Sequence, residues 1–402
     1  MTAPRRFTEL AAAAAAALFL LSWGLVHTGW YDDGEIVDTP VYSRYGDAIE
    51  NGEVPYRDFR PEYPPGALPA FVVPALLSEN DEQGFRDTFE WLMAAFGVAT
   101  VLLAAVALRG VGATRARTAA ALGLVGSFPL LLGSVVLTRF DLYPTALLVG
   151  ALAALVHERD RLGLGVLGAA VAVKLFPAVV VPVAVAYTWR RRGRREALVC
   201  LSICGGVIAL AFLPFLLVAP EGLARSIGHQ LSRPLQIESL GSAVFLAAHH
   251  LTGLDVEVGS GHGSQNPHAT GSGIAALLFS LVQIVVLVWI WLRRPATKQE
   301  LLRWSAAALV AFVALGKVLS PQFLIWLAPT VPLVGGLRGL RASVLLAVAL
   351  VLTQLWFPSR YWDLARNLDP FPSTLVVLRD LVLIAVLVVL VRERSGGPAR
   401  SP

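Results

Sequence analysis

Eight side chains along the chain have types that suit chemistry on a charged substrate: Asp38, Glu62, Arg139, Asp141, Lys174, Arg233, Lys317 and Gln322. A carboxylate can take the proton of an attacking hydroxyl, and a cation can hold a phosphate while negative charge grows on it. Together they suit a substrate that carries a phosphate and must lose a proton. Asp38 and Glu62 sit in the polar stretch Tyr31 to Gly66, YDDGEIVDTPVYSRYGDAIENGEVPYRDFRPEYPPG, which packs twelve acidic or basic side chains and several aromatics into an otherwise apolar chain. A tether between two membrane helices needs only a few residues, and charge held beside a bilayer is costly. The stretch therefore reads as a reaction site.

The elements that must position these groups follow from composition. Of 402 residues, 56% are hydrophobic and 15% charged, and the mean hydropathy of +0.65 is that of a polytopic membrane protein. Apolar runs long enough to cross a hydrocarbon core of about 30 Å recur from Leu10 to Val391. Helices satisfy their own backbone in lipid, and the short alternating segments of a β-barrel are absent. The expected fold is all-α, a polytopic transmembrane helix bundle forming a single integral membrane domain over 1–402. The run Leu10 to Val26 reads as a retained helix, because no small-residue cleavage site follows it convincingly. The pI of about 9.5 does not point to nucleic acid, since the basic residues gather in short loops between apolar runs.

Seven basic clusters set the threading: Arg5 and Arg6; Arg109, Arg115 and Arg117; Arg159 and Arg161; Arg190 to Arg195; Arg293 to Arg303; Arg338 and Arg341; Arg392 and Arg394. If all face the cytoplasm, each interval holds an even number of crossings, about 12 in total, with both termini inside. A first outer loop with a juxtamembrane segment then spans 28–90, a second large outer loop 219–273, and a cytoplasmic tail 392–402. The piece Pro64 to Leu77 has only about fourteen residues and lies along or dips into the outer surface. Parity also demands two broken helix pairs, one at Pro177 with Lys174 near its turn, the other turning at Lys317, Ser320, Pro321 and Gln322. Arg139 and Asp141 fall at an outer turn, and the Gly/Ser-rich stretch Gly259 to Gly273 reads as mobile. Every unusual polar residue then lands on one face.

VDTPVY (Val37 to Tyr42), GEVPYRDF (Gly52 to Phe59), EYPPG (Glu62 to Gly66), TRFDLYP (Thr138 to Pro144), AVKLFP (Ala172 to Pro177) and SPQFLIWLAP (Ser320 to Pro329) resemble, in order and placement, the polytopic GT-C glycosyltransferases. Among these the chain is most similar to the actinobacterial polyprenyl-phosphate-mannose-dependent mannosyltransferases, glycosyltransferase family 87. The likeness covers about Asp38 to Pro329. It implies GT-C-like outer loops and an inverting transfer of a sugar, mannose, from a polyprenyl-phosphate donor to an envelope glycolipid or glycan. The active site would lie on the extracytoplasmic face of the cell membrane.

In that superfamily an aspartate of the first outer loop acts as general base, and Asp38 matches that position. Asp32, Asp33, Glu35 and Asp47 are rivals in the same loop. The resemblance places Glu62 near the acceptor or a divalent ion, against a plain helix-entry acid. It makes Asp141 with Arg139 a second outer acidic site, against a simple interfacial ion pair. Lys174 and Lys317 stand where a donor phosphate needs cations, against snorkelling lysines, and Arg233 in RPLQIES is a further candidate.

Cys200 and Cys204 lie four apart on an apolar helix without the partners of a metal site and read as packing residues. The seven histidines show no metal-ligand spacing. No cofactor follows with certainty, and a divalent metal ion stays open. Gly163 to Gly168 has glycine spacing but no preceding strand, which excludes a nucleotide loop. Two other classes compete. A transporter or lipid flippase would explain the crossings but should carry charge at mid-membrane and a pseudo-repeat; a noncatalytic assembly protein related to such enzymes is the third reading. Arabinose on the same carrier would need similar groups.

Overall fold

The computed structural model describes residues 2–28, 36–78 and 81–392. Its α-helices, in chain order, are α1 (Arg5–Val26), α2 (Thr39–Glu50), α3 (Pro69–Leu77), α4 (Glu82–Gly110), α5 (Arg115–Leu132), α6 (Leu142–Val156), α7 (Asp160–Val173), α8 (Val181–Arg192) and α9 (Arg194–Val218). They continue with α10 (Pro220–Leu231), α11 (Leu240–Thr252), α12 (Ser272–Trp291), α13 (Lys298–Ala314), α14 (Leu324–Thr330), α15 (Gly336–Gln354), α16 (Tyr361–Asn367) and α17 (Pro370–Val391). Local chemistry marks their ends. Asp81 accepts from the Gln83 and Gly84 amides to start α4, Thr297 and Glu300 form a capping box on α13, and Asp369 with Pro370 opens α17.

Among the described residues six helices, α1, α4, α9, α12, α15 and α17, are long and apolar enough to cross a membrane. The chain is a multi-pass membrane protein. Leu210 and Leu217 on α9 and Leu277 on α12 are exposed, as expected of lipid-facing helices whose solvent is hydrocarbon.

The basic clusters converge on one end of the bundle. The Ala3 amide bonds the Ala113 carbonyl, and Arg117 reaches the Leu333 carbonyl. Gln299 bonds the Val111 carbonyl, Lys298 pairs with Glu158, and Arg191 pairs with Glu158 and Asp160. Arg303 and Arg338 close the ring on the carbonyls of Leu390 and Arg392. Each interval between clusters thus leaves from and returns to this end, as the charge pattern requires.

Both broken pairs are present. After α7 the chain extends at Lys174, makes a 3-10 turn over Phe176–Val180 and returns as α8. After α13 it loops past Lys317 into a 3-10 turn, Pro321–Phe323, and returns as the short α14. The 3-10 turn Pro65–Ala67 sits against the first break, because Gly66 has no side chain. A Cβ there would lie 2.6 Å from the Ala172 carbonyl carbon and oxygen.

Two expectations need correction. The stretch Gly259 to Gly273 is not a mobile linker: β1 (Glu257–Gly261) and β2 (Ser264–His268) form an antiparallel hairpin running into α12. Asn266, 2% exposed, bonds the carbonyls of Gly261 and Ser264 and ties the turn to itself, which composition does not reveal. Unusual polar residues are also not confined to one face, since Arg379 and Asp380 are both buried within α17. Absence of such charge therefore cannot argue against a transporter. The expected tail beyond residue 392 lies outside the described residues.

Candidate active site

The site gathers at the end of the bundle opposite the basic clusters. Asp38 precedes α2, whose Pro40 is preorganised for a first turn, and its carbonyl accepts from the Val41 and Tyr42 amides. Its side chain makes no capping bond and is one-third exposed (33%). Asp38 Oδ1 lies 3.1 Å from Arg139 Nη1, and Oδ2 accepts from the Tyr42 hydroxyl at 3.3 Å. Arg139 is buried, and its Nη2 also donates to the Ile36 carbonyl. The guanidinium therefore fixes both the carboxylate and the segment leading to it.

Asp141, fully buried, forms the neighbouring pair. Its Oδ1 takes the Lys174 ammonium at 2.7 Å and the Trp326 indole N–H, while Oδ2 has no hydrogen-bond partner among the described residues. The Lys174 ammonium also sits 4.6 Å from the Phe140 ring centroid. Trp326 is stacked between Phe176 at 3.9 Å and Phe323 at 4.2 Å, so one broken pair supplies the lysine and the other the indole that share the acid.

Of the alternatives the sequence left open, the geometry removes the interfacial ion pair and the snorkelling lysine. Arg139 and Asp141 are no interfacial pair of their own: each is buried and bonded to a residue far along the chain, Arg139 to Asp38 and Asp141 to Lys174. Lys174 does not snorkel, because its head is enclosed by Asp141 and rings.

Tyr42, Tyr45 and Tyr63 were missed. Tyr42 packs 4.7 Å from Phe71 and 5.8 Å from Tyr63. Burial pushes the Tyr45 phenol up to about 12 and holds those of Tyr42 and Tyr63 well above the ordinary value. All three therefore stay protonated near neutrality. The motifs VDTPVY and EYPPG contain two of them, but sequence gives no sign that they meet.

A second group forms around the 232–239 loop between α10 and α11. Lys317 Nζ donates to the Leu231 carbonyl at 2.9 Å, while the Lys317 carbonyl accepts from the Gln236 amide at 2.9 Å. Arg233 is half-buried, and its Nε has no hydrogen-bond partner among the described residues. Among the described residues neither cation has a carboxylate within ion-pair distance, although Arg233 feels Glu238 and Glu62, and its charge reaches Lys317. Burial lowers both cations below their ordinary values and pushes the Glu238 carboxyl up to about 7.

The remaining expected residues lie on the margins. Glu62 is exposed, with its carboxylate against Gly263 at the hairpin tip, where His262 stacks on His229 at 4.5 Å. Gln322 is half-buried in its 3-10 turn and makes no side-chain hydrogen bond among the described residues. Asp47 lies at the other end of α2 and accepts from Ser43, while Asp32, Asp33 and Glu35 fall outside the described residues. Among the described residues no three His, Cys, Asp or Glu side chains group so as to hold a metal ion. A cavity of about 520 Å³ borders Asp38 through Val37 and Thr39 and is lined by His27, Glu82, Arg86 and Thr138 among others.

A family model described as glycosyltransferase family 87 matches residues 62–321. The match takes in both cationic groups, while Asp38 precedes it and Gln322 follows it. ArnT from Cupriavidus metallidurans, solved bound to undecaprenyl phosphate, is similar with a TM-score of 0.50 and 15% identity, over 96% of this chain and 77% of that one. That likeness establishes a shared GT-C fold. The archaeal oligosaccharyltransferase AglB from Archaeoglobus fulgidus, in complex with an inhibitory peptide and a dolichol-phosphate, has a TM-score of 0.44 and 14% identity, over 96% of this chain and 55% of that one. No curated protein matches the sequence.

Proposed function

The chain belongs to glycosyltransferase family 87, and from that premise we propose that it transfers mannose from a polyprenyl-phosphate carrier to a glycolipid or glycan of the cell envelope. The reaction takes place on the extracytoplasmic side of the cell membrane. Asp38 accepts the proton of an acceptor hydroxyl as its oxygen attacks the anomeric carbon. The bond from that carbon to the phosphate oxygen breaks on the opposite side, its electron pair leaves with the lipid phosphate, and the anomeric centre inverts. Arg139 orients the base, and the acceptor reaches it from the cavity beside Val37 and Thr39.

Charge grows on the leaving phosphate, so cations in a poorly hydrated setting favour the transition state. Arg233 and Lys317 have no carboxylate within ion-pair distance among the described residues. Lys174 is neutralised by Asp141, so its part is to shape the floor of the site until a phosphate competes for it. Glu62 lies by the hairpin tip within the field of Arg233, and Gln322 stands beside the Lys317 turn.

The observation that carries the reading is a one-third-exposed aspartate held by a buried arginine at the same end of the bundle as two cations that have no carboxylate within ion-pair distance among the described residues. Membranes containing the protein, given polyprenyl phosphates labelled in mannose, glucose or arabinose, test it. Label passing from the mannose donor to a lipid or glycan supports the proposal. Transfer from arabinose instead replaces the sugar, and carrier crossing vesicles without transfer replaces the class.

A further inference from the structure

Arg379 and Asp380 occupy the part of α17 that the reaction scheme leaves unused. Both side chains are fully buried, with the Arg379 Nε 2.7 Å from Asp380 Oδ1 and the guanidinium 5.9 Å from the Trp356 ring centroid. Holding a guanidinium and a carboxylate inside a membrane helix costs several kcal/mol per ion by general estimate, and apolar residues of similar size often serve packing as well. Such a pair is therefore a poor choice for packing alone. Its geometry is also not optimised for internal bonding, since neither Asp380 oxygen accepts a hydrogen bond among the described residues. Asp380 supplies counter-charge beside Nε, while the Nη2 donor of Arg379 points elsewhere.

That donor goes to the loop. Arg379 Nη2 bonds the Glu238 carbonyl at 2.6 Å, both groups being buried. The same loop is tied sideways at two points, where the Gln236 amide meets the Lys317 carbonyl and the Ile237 amide meets the Gln265 carbonyl, each at 2.9 Å. The Ser242 hydroxyl adds a bond to the Gln236 carbonyl at 2.6 Å. The sideways ties join the loop to the Lys317 turn and to the β-hairpin, neither of which crosses the membrane. The bond from Arg379 joins it to a membrane-spanning helix.

We propose that Arg379, neutralised by Asp380, is a positioning residue that fixes the 232–239 loop so that Arg233 and Lys317 are held together for an anionic group of the donor. This rests on the reading of those two cations as the phosphate site. It adds that their spacing is set from within α17, through a charge-assisted bond to one backbone carbonyl.

The test uses the full-length protein in lipid vesicles with polyprenyl-phosphate mannose. The double variant Arg379→Met with Asp380→Leu removes both charges together and so avoids leaving either one buried alone. Donor KM should rise about tenfold, the loss of one charge-assisted bond, while kcat stays within about threefold. Hydrogen exchange at the amides of Gln236 to Ser239 should quicken by about tenfold in step. Arg379→Lys, which keeps the charge, should recover part of both effects and carries the test if the double variant does not fold. A folded variant with wild-type KM and wild-type amide protection would overturn the proposal. If wild-type protein transfers nothing from any polyprenyl-phosphate sugar, the phosphate reading falls, and the exchange rates alone decide whether Arg379 anchors the loop.

Discussion

At the scale of residues, the ion pairs Asp38–Arg139 and Asp141–Lys174 do different work. Arg139 leaves one Asp38 oxygen that accepts only from a tyrosine hydroxyl among the described residues, whereas Lys174 is closed off by Asp141 and rings. Lys174→Met should therefore act first on folding, because removing one partner of a buried pair costs about 3–5 kcal/mol. Folded yield in detergent should drop, and Lys174→Met with Asp141→Leu should restore much of it. Equal yields for wild type and the single variant would contradict the enclosed pair. Arg233→Met and Lys317→Met should instead fold normally and weaken donor binding, each by about tenfold to a hundredfold, as expected for losing a charge-assisted hydrogen bond. Labelled-donor titration measures this, and unchanged affinity in both would remove them from the phosphate site. Residue types were legible in the sequence, since acids and cations are rare in such a chain. Their partners were not, because the pairs join positions such as Asp38 with Arg139 and Asp141 with Lys174, and no local spacing encodes that. Arg379 and Asp380 were overlooked for the same reason: two adjacent charges inside an apolar run disclose nothing of the loop carbonyl that one of them reaches.

At the scale of elements, close backbone approach sets the geometry of the first broken pair. Gly66 rests on the end of α7 with no room for a side chain, next to the residue that presents Lys174. Gly66→Val should push the 3-10 turn from α7 and disturb both Tyr63 and Lys174. The cost of such overpacking is about 1–3 kcal/mol, read as a lower melting temperature with reduced turnover, and a variant with wild-type values in both would contradict the close seat. The broken helices themselves were legible from charge parity and proline placement. The hairpin was not, because glycine and serine composition describes a linker and a tight antiparallel turn equally well. What holds it is the buried Asn266 and the packing of its tip on α10.

At the scale of the whole molecule, basic loops converging on one end and reactive groups at the other form a polarity that was legible from lysine and arginine placement alone. Single cysteines at Asn51 and Gly193, in a background lacking Cys200 and Cys204, should report it. An impermeant thiol reagent on intact cells should label only the first, and labelling of only the second would invert the threading. The central claim, an aspartate base serving a lipid-phosphate donor at that outer end, is tested most directly by wild type and Asp38→Asn in vesicles oriented with the Asn51 side outward. Polyprenyl-phosphate mannose and acceptor are supplied from outside. The account predicts transfer by wild type with inversion at the anomeric carbon, and a fall of about a hundredfold or more in Asp38→Asn with donor binding retained, as for loss of a general base. Near-normal turnover in Asp38→Asn would contradict it.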